Sequence, residues 1–198
     1  MNPGGKVKPV AKGHGETARD GLLLPACGCT GFGEVACGPP GRRPGGTVGG
    51  KIRVYDEAAW HLANDWPRGL PREQACVHAG LYLGWLAERR LLSEELEREF
   101  QVEIEAFRGR QITGPRLYAL AGRALTSEML SAEGRAFTEA YYDLDSGRFL
   151  ADYEAVLGAG RKTLFEVPDS WESYQALLPV LDERLDAFRA RGARGRRR

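Results

Sequence analysis

Between Pro71 and Leu91 the chain reads P-R-E-Q-A-C-V-H-A-G-L-Y-L-G-W-L-A-E-R-R-L, and no other stretch limits the available folds as strongly. At helical spacing Cys76, Gly80 and Gly84 form one row, Val77, Leu81 and Trp85 the next, and His78, Tyr82 and Leu86 a third. Three largely apolar rows bury a helix on most of its circumference, so other elements are expected to wrap around this one. Each internal glycine costs ~1 kcal/mol against alanine in a helix. Their shared row is therefore read as the place where another backbone approaches closely. Pro71 suits the first turn, where a missing N–H does no harm.

Upstream, Ile52-Arg53-Val54-Tyr55 alternates like a short strand, and Asp56 is placed to cap a short helix through Trp60 and His61. Asn64-Asp65-Trp66-Pro67 breaks that helix. Downstream the chain reads as helix after helix. Ser93 caps one that runs to about Arg108, with Leu96, Phe100, Ile104 and Phe107 on one face. Ile112-Thr113-Gly114-Pro115 opens another, Thr126 or Ser127 starts a further turn, and Ser131 starts a helix carrying Phe137, Tyr141 and Tyr142. After the turn Asp145-Ser146-Gly147 comes a helix with Phe149, Leu150, Tyr153, Val156 and Leu157. Thr163-Leu164-Phe165-Glu166-Val167 is read as a second strand, and Asp169 with Glu172 as a capping box. A final helix pair, split at Pro179, follows. The expectation is a mainly α, compact multi-helix single domain over residues 51–190, with one small two-stranded β element.

Residues 1–50 form a Gly/Pro-rich leader and residues 191–198 an Arg-rich tail, both expected to be disordered because they hold too little apolar surface to offset ordering entropy. The overall balance of 28 basic and 27 acidic residues hides an asymmetry. Without residues 1–50 and 189–198 the chain keeps 16 basic and 24 acidic residues, a net charge near −8. An acidic domain speaks against nucleic acid as partner, although the Arg tail could contact phosphates. Cys27, Cys29 and Cys37 lack the paired spacing of a zinc knuckle and are read as incidental thiols. The apolar run before Cys27 is too short for a signal peptide, and no run spans a membrane, so a cytoplasmic location is expected.

The chemistry-bearing residues gather around the central helix, and the candidate functional cluster is Asp56, Trp60, His61, Asp65, His78 and Tyr82. Two histidines on neighbouring elements with a carboxylate can supply the ligands of zinc or iron, or an acid/base pair. None of the short ligand spacings such as H-x3-H occurs, so no catalytic residue, metal or cofactor is assigned. In the competing reading Trp60, Trp66 and Trp85 pack the core while both histidines hydrogen-bond inside it. Cys76 and His78 point about 200° apart around one helix and make no dyad. Asp143 and Asp145 with Glu139 lack the remaining ligands of a calcium loop.

The order Val54-Tyr55-Asp56-x-Ala58-x-Trp60-His61, then Trp-Pro and Leu-Pro turns, then His78-x-Gly80-x-Tyr82-Leu83-x-Trp85 resembles an uncharacterised bacterial domain family of unknown function. The likeness continues through Leu92-Ser93-Glu94-Glu95-Leu96, Ile112-Thr113-Gly114, Glu133-Gly134-x-Ala136-Phe137, Tyr141-Tyr142, Tyr153 and Ser170-Trp171-Glu172-x-Tyr174. It covers most of residues 52–188 and implies one domain, with no activity or site residue to carry over. The leading expectation is a non-enzymatic domain that binds another protein, of toxin-neutralising or regulatory type. The alternatives are a metal-dependent or acid/base enzyme using Asp56, His61, Asp65 and His78, and nucleic-acid binding by the basic tail.

Overall fold

From Val77 to Ala87 every residue of helix α2 (Val77–Glu88) is buried, as its apolar circumference requires. The computed structural model describes residues 51–63, 66–142 and 148–195. The cysteines of the leader, Asp65, and the turn bearing Asp143 and Asp145 lie outside the described residues. Around α2 the chain sets β1 (Val54–Glu57), α1 (Ala58–Ala63), α3 (Glu94–Glu99), α4 (Gln101–Arg108), α5 (Gly114–Leu120), β2 (Ala124–Thr126), α6 (Ala132–Tyr141), α7 (Arg148–Leu157) and α8 (Trp171–Gly195). The domain is mainly helical with a two-stranded antiparallel sheet. No helix among the described residues is long and apolar enough to cross a membrane.

The glycine row does what its spacing implies. An ideal Cβ on Gly80 would lie 2.3 Å from Pro115 Cα, and one on Gly114 would lie 2.4 Å from the Gly80 carbonyl oxygen. So α2 and α5 touch backbone to backbone. Gly84 faces the Phe107 ring of α4. Ser93, Thr113 and Ser131 cap α3, α5 and α6 by accepting from the backbone N–H three residues on.

Five expectations need correction. The segment from Arg72 to Cys76 is a 3-10 turn, and the α-helix begins only at Val77. Thr163–Val167 is no strand: Leu164–Glu166 forms a 3-10 turn, tied by Lys162 N–H donating to Glu166 Oε2 at 2.8 Å. The partner of β1 is instead Ala124–Thr126. Pro179 does not split the last helix, because the buried stripe Tyr174, Leu177, Leu181, Leu185 continues across it and outweighs one lost hydrogen bond. That helix also runs past residue 190 to Gly195, since Arg and Ala are strong helix formers and Arg189 is paired to Glu133 at 2.7 Å. Its cap is Ser170, which accepts from Ser173 N–H at 3.2 Å, while Asp169 accepts from the Thr113 hydroxyl.

Asp182 ties α8 to α2. It accepts from Trp85 Nε1–H at 2.9 Å and from two Arg89 N–H groups at 2.7 and 2.6 Å. Burial pushes its carboxyl up, but the Arg89 and Trp85 bonds outweigh that and hold it below the ordinary value. The Arg184 bonds hold Asp152 low in the same way. A depressed folded-state pKa gives stability above the unfolded carboxyl range that is lost as pH falls through the folded value. Asp182→Ala, which orphans the fully buried Trp85 N–H, is expected to cost about 1–3 kcal/mol at neutral pH. Denaturant midpoints measured at pH 7 and pH 3 should show a smaller acid loss in the variant than in the parent.

Candidate functional site

An irregularity in β1 creates the site. Successive strand residues normally face opposite sides, yet Tyr55 and Asp56 are both buried. The register slips between Val54, paired to Thr126, and Asp56, paired to Leu125. Such a bulge re-aims a side chain, and here a carboxylate enters the interior with no accessible surface.

Three donors meet that carboxylate. His61 Nε2–H, from α1, donates to Oδ1 at 3.0 Å; His78 Nε2–H, from the first turn of α2, donates to Oδ2 at 2.9 Å. The Tyr142 hydroxyl, at the end of α6, donates to Oδ2 at 2.8 Å. Burial alone would raise the Asp56 carboxyl. The charge of a facing His78 and the hydrogen bonds from both histidines overcome this and hold it well below the usual carboxylate range. Asp56 is therefore an anion and accepts every one of these bonds. Burial and the facing carboxylate push the Tyr142 phenol well up, so it keeps its proton.

The imidazole rings stand edge to face with centroids 4.6 Å apart. One donor atom each from Asp56, His61 and His78 can be chosen so that all lie within 4.8 Å of one another. The histidines also line a pocket of about 320 Å³. Its apolar wall is Pro67, Leu150, Leu164 and Phe165, with Thr163 beside them. The Phe165 ring lies 5.4 Å from that of His61 and 4.8 Å from that of Trp66, whose indole N–H is anchored on the Leu70 carbonyl. A larger hollow of about 460 Å³ beside α1 is lined by Glu57, Arg72 and Arg123 among others, and contains neither histidine.

Of the six candidate residues, three converge. Trp60 is 41% exposed and outside the core, so only Trp85 of the three tryptophans is fully buried there, with Trp66 half-buried. Tyr82 belongs to the core: its hydroxyl pairs with Thr138 at 3.0 Å and its ring stacks on Trp85. One helical turn separates it from His78, yet it takes no part in the site. Asp65 is outside the described residues. Sequence reasoning missed Tyr142, 86 positions from Asp56, and Phe165, which it placed in a strand. The doubled tyrosine was a signal only for a helix face.

A family model described as domain of unknown function (DUF7832) matches residues 54–167, more than half the chain, and the chain belongs to that family. The match spans β1 to Val167, so it contains the three convergent residues, Tyr142 and the whole pocket lining, and leaves α8 outside. No curated protein and no solved structure matches the chain.

Proposed function

We propose that this member of the DUF7832 family is a metal-dependent enzyme domain, its centre a divalent transition-metal ion held by Asp56, His61 and His78. The observation that carries this reading is the convergence of both Nε2 atoms on the two oxygens of one buried carboxylate, at 3.0 and 2.9 Å. Ligands bonded at ~2.1 Å sit ~3.0 Å apart along an octahedral edge and ~3.4 Å along a tetrahedral one, so the two N–O spacings suit an ion that takes the place of the Nε2 protons, and all three donor atoms lie within 4.8 Å of one another. Two imidazoles and a carboxylate are the donor set of zinc and of non-haem iron(II), and they leave positions free for substrate. When bound, such an ion polarises a substrate oxygen or lowers the pKa of a water.

The chain's own residues have separate tasks. Asp56 brings the negative charge that offsets the cation. Tyr142, protonated and hydrogen-bonded to Oδ2, fixes the orientation of that carboxylate. Pro67, Leu150, Leu164 and Phe165 give the histidine side of the centre an apolar wall. A partner-binding surface is less well supported, because the aromatic segment that suggested it places Tyr82 and Trp85 in the core.

Metal analysis of the full chain, followed by titration of chelator-treated protein with zinc and with cobalt(II), tests the reading. One equivalent per chain is expected, with His61→Ala and His78→Ala each at least about 100-fold weaker and Tyr142→Phe about 10-fold weaker. Absence of binding in the micromolar range, or variants that bind as the parent does, rejects it.

A further inference from the structure

We infer that the pocket in front of His61 and His78 takes a compact, neutral, single-ring molecule whose one hydroxyl or carbonyl faces the imidazoles. Only the orientation of that polar end rests on the metal-centre reading; the ring-binding part stands on the pocket itself. The volume of about 320 Å³ lies at the lower end for small-molecule sites, room for roughly 10 to 15 non-hydrogen atoms. No Lys, Arg, Asp or Glu is among the described residues lining it. A charged ligand group would be stripped of water there without a partner along the apolar wall, whereas a hydrocarbon ring loses nothing by leaving water.

The ring's seat is Phe165. Its centroid is 6.0 Å from that of His78 and 5.4 Å from that of His61, and Trp66 braces it at 4.8 Å. Offset or edge-to-face contact between aromatic rings needs centroids about 4.5–7 Å apart. A ring lying against Phe165 therefore also lies beside the two histidines, within reach of a substituent on its edge. Thr163 supplies the remaining side-chain hydroxyl of the lining, but its Oγ1 is buried. The polar end of the pocket is thus the histidine pair, and polarity is confined to that end.

Benzyl alcohol, cyclohexanol, benzylamine and glycerol, titrated into the full chain with and without zinc, test this through tryptophan fluorescence and thermal shift. Trp66 lies against Phe165, so its share of the emission from the four tryptophans reports on the pocket. Benzyl alcohol is expected to bind at least about tenfold more tightly than benzylamine or glycerol, with cyclohexanol in between. Phe165→Ala should weaken benzyl alcohol about tenfold, and Leu150→Trp, which fills the pocket, should abolish its binding while the protein still unfolds cooperatively. Equal affinity for benzylamine and benzyl alcohol, or no effect of either variant, overturns the inference. Zinc binding without benzyl alcohol binding overturns it alone; benzyl alcohol binding without zinc binding upholds the ring-binding part and removes the metal centre together with the orientation that rests on it.

Discussion

Gly80→Ala is expected to destabilise the domain by about 3 kcal/mol or more, though the substitution improves helix propensity by ~1 kcal/mol. The added methyl would sit 2.3 Å from Pro115 Cα, 2.6 Å from its nitrogen and 3.0 Å from the Gly114 carbonyl carbon. All three are backbone atoms, so no side chain can rotate aside; the helices must separate. Separation is costly because α2 is buried on all sides, and moving it from α5 drives it into the elements opposite. Trp85 and Leu81, on the adjoining row, are fully buried and have no slack. A natural domain is stable by roughly 5–15 kcal/mol, so the loss is a large share of the total. Urea unfolding of parent and variant, both metal-free, measures it; a change under 1 kcal/mol would show that α2 and α5 are not pressed together.

This contact was legible in the sequence because α2 carries its signal alone: a three-residue row containing two glycines can only be a close approach or a defect. The missed elements depend on residues far along the chain. Ala124-Leu125-Thr126 is too short to announce a strand and pairs because β1 is there. Pro179 reads as a break in isolation, but a buried stripe runs through it in the folded molecule. The site shows the same division. The chemistry of Asp56, His61 and His78 could be read from residue type, whereas their convergence needed a bulge in β1, which a period-two pattern does not contain. Tyr142 joins from 86 residues away, and nothing local marks it as different from Tyr141, whose hydroxyl instead reaches Asp152.

Asp56 gives the other large effect, and two substitutions there separate architecture from chemistry. Asp56→Ala removes the acceptor of three donors at once, one of them the fully buried Tyr142 hydroxyl, and is expected to cost about 3–5 kcal/mol. Asp56→Asn keeps the shape and one carbonyl oxygen. That oxygen can still accept from His78 and Tyr142, as Oδ2 does now, leaving the amide NH2 toward His61. A neutral imidazole has one donor and one acceptor nitrogen, so His61, the more exposed of the pair, can move its proton to Nδ1 and accept from that amide. The Asn variant should therefore fold with a loss of only roughly 1–2 kcal/mol. For a cation the two substitutions are alike, since both delete the negative charge of the carboxylate whose two oxygens the imidazoles contact. Urea unfolding in chelator is expected to rank parent, Asn and Ala in that order, while zinc titration should find both variants without the single tight equivalent. If Asp56→Asn binds zinc as the parent does, Asp56 is a structural acceptor and the ion's ligands must be sought elsewhere. If Ala proves as stable as Asn, the three hydrogen bonds are not what holds β1, α1, α2 and α6 together, and the carboxylate is present for its charge.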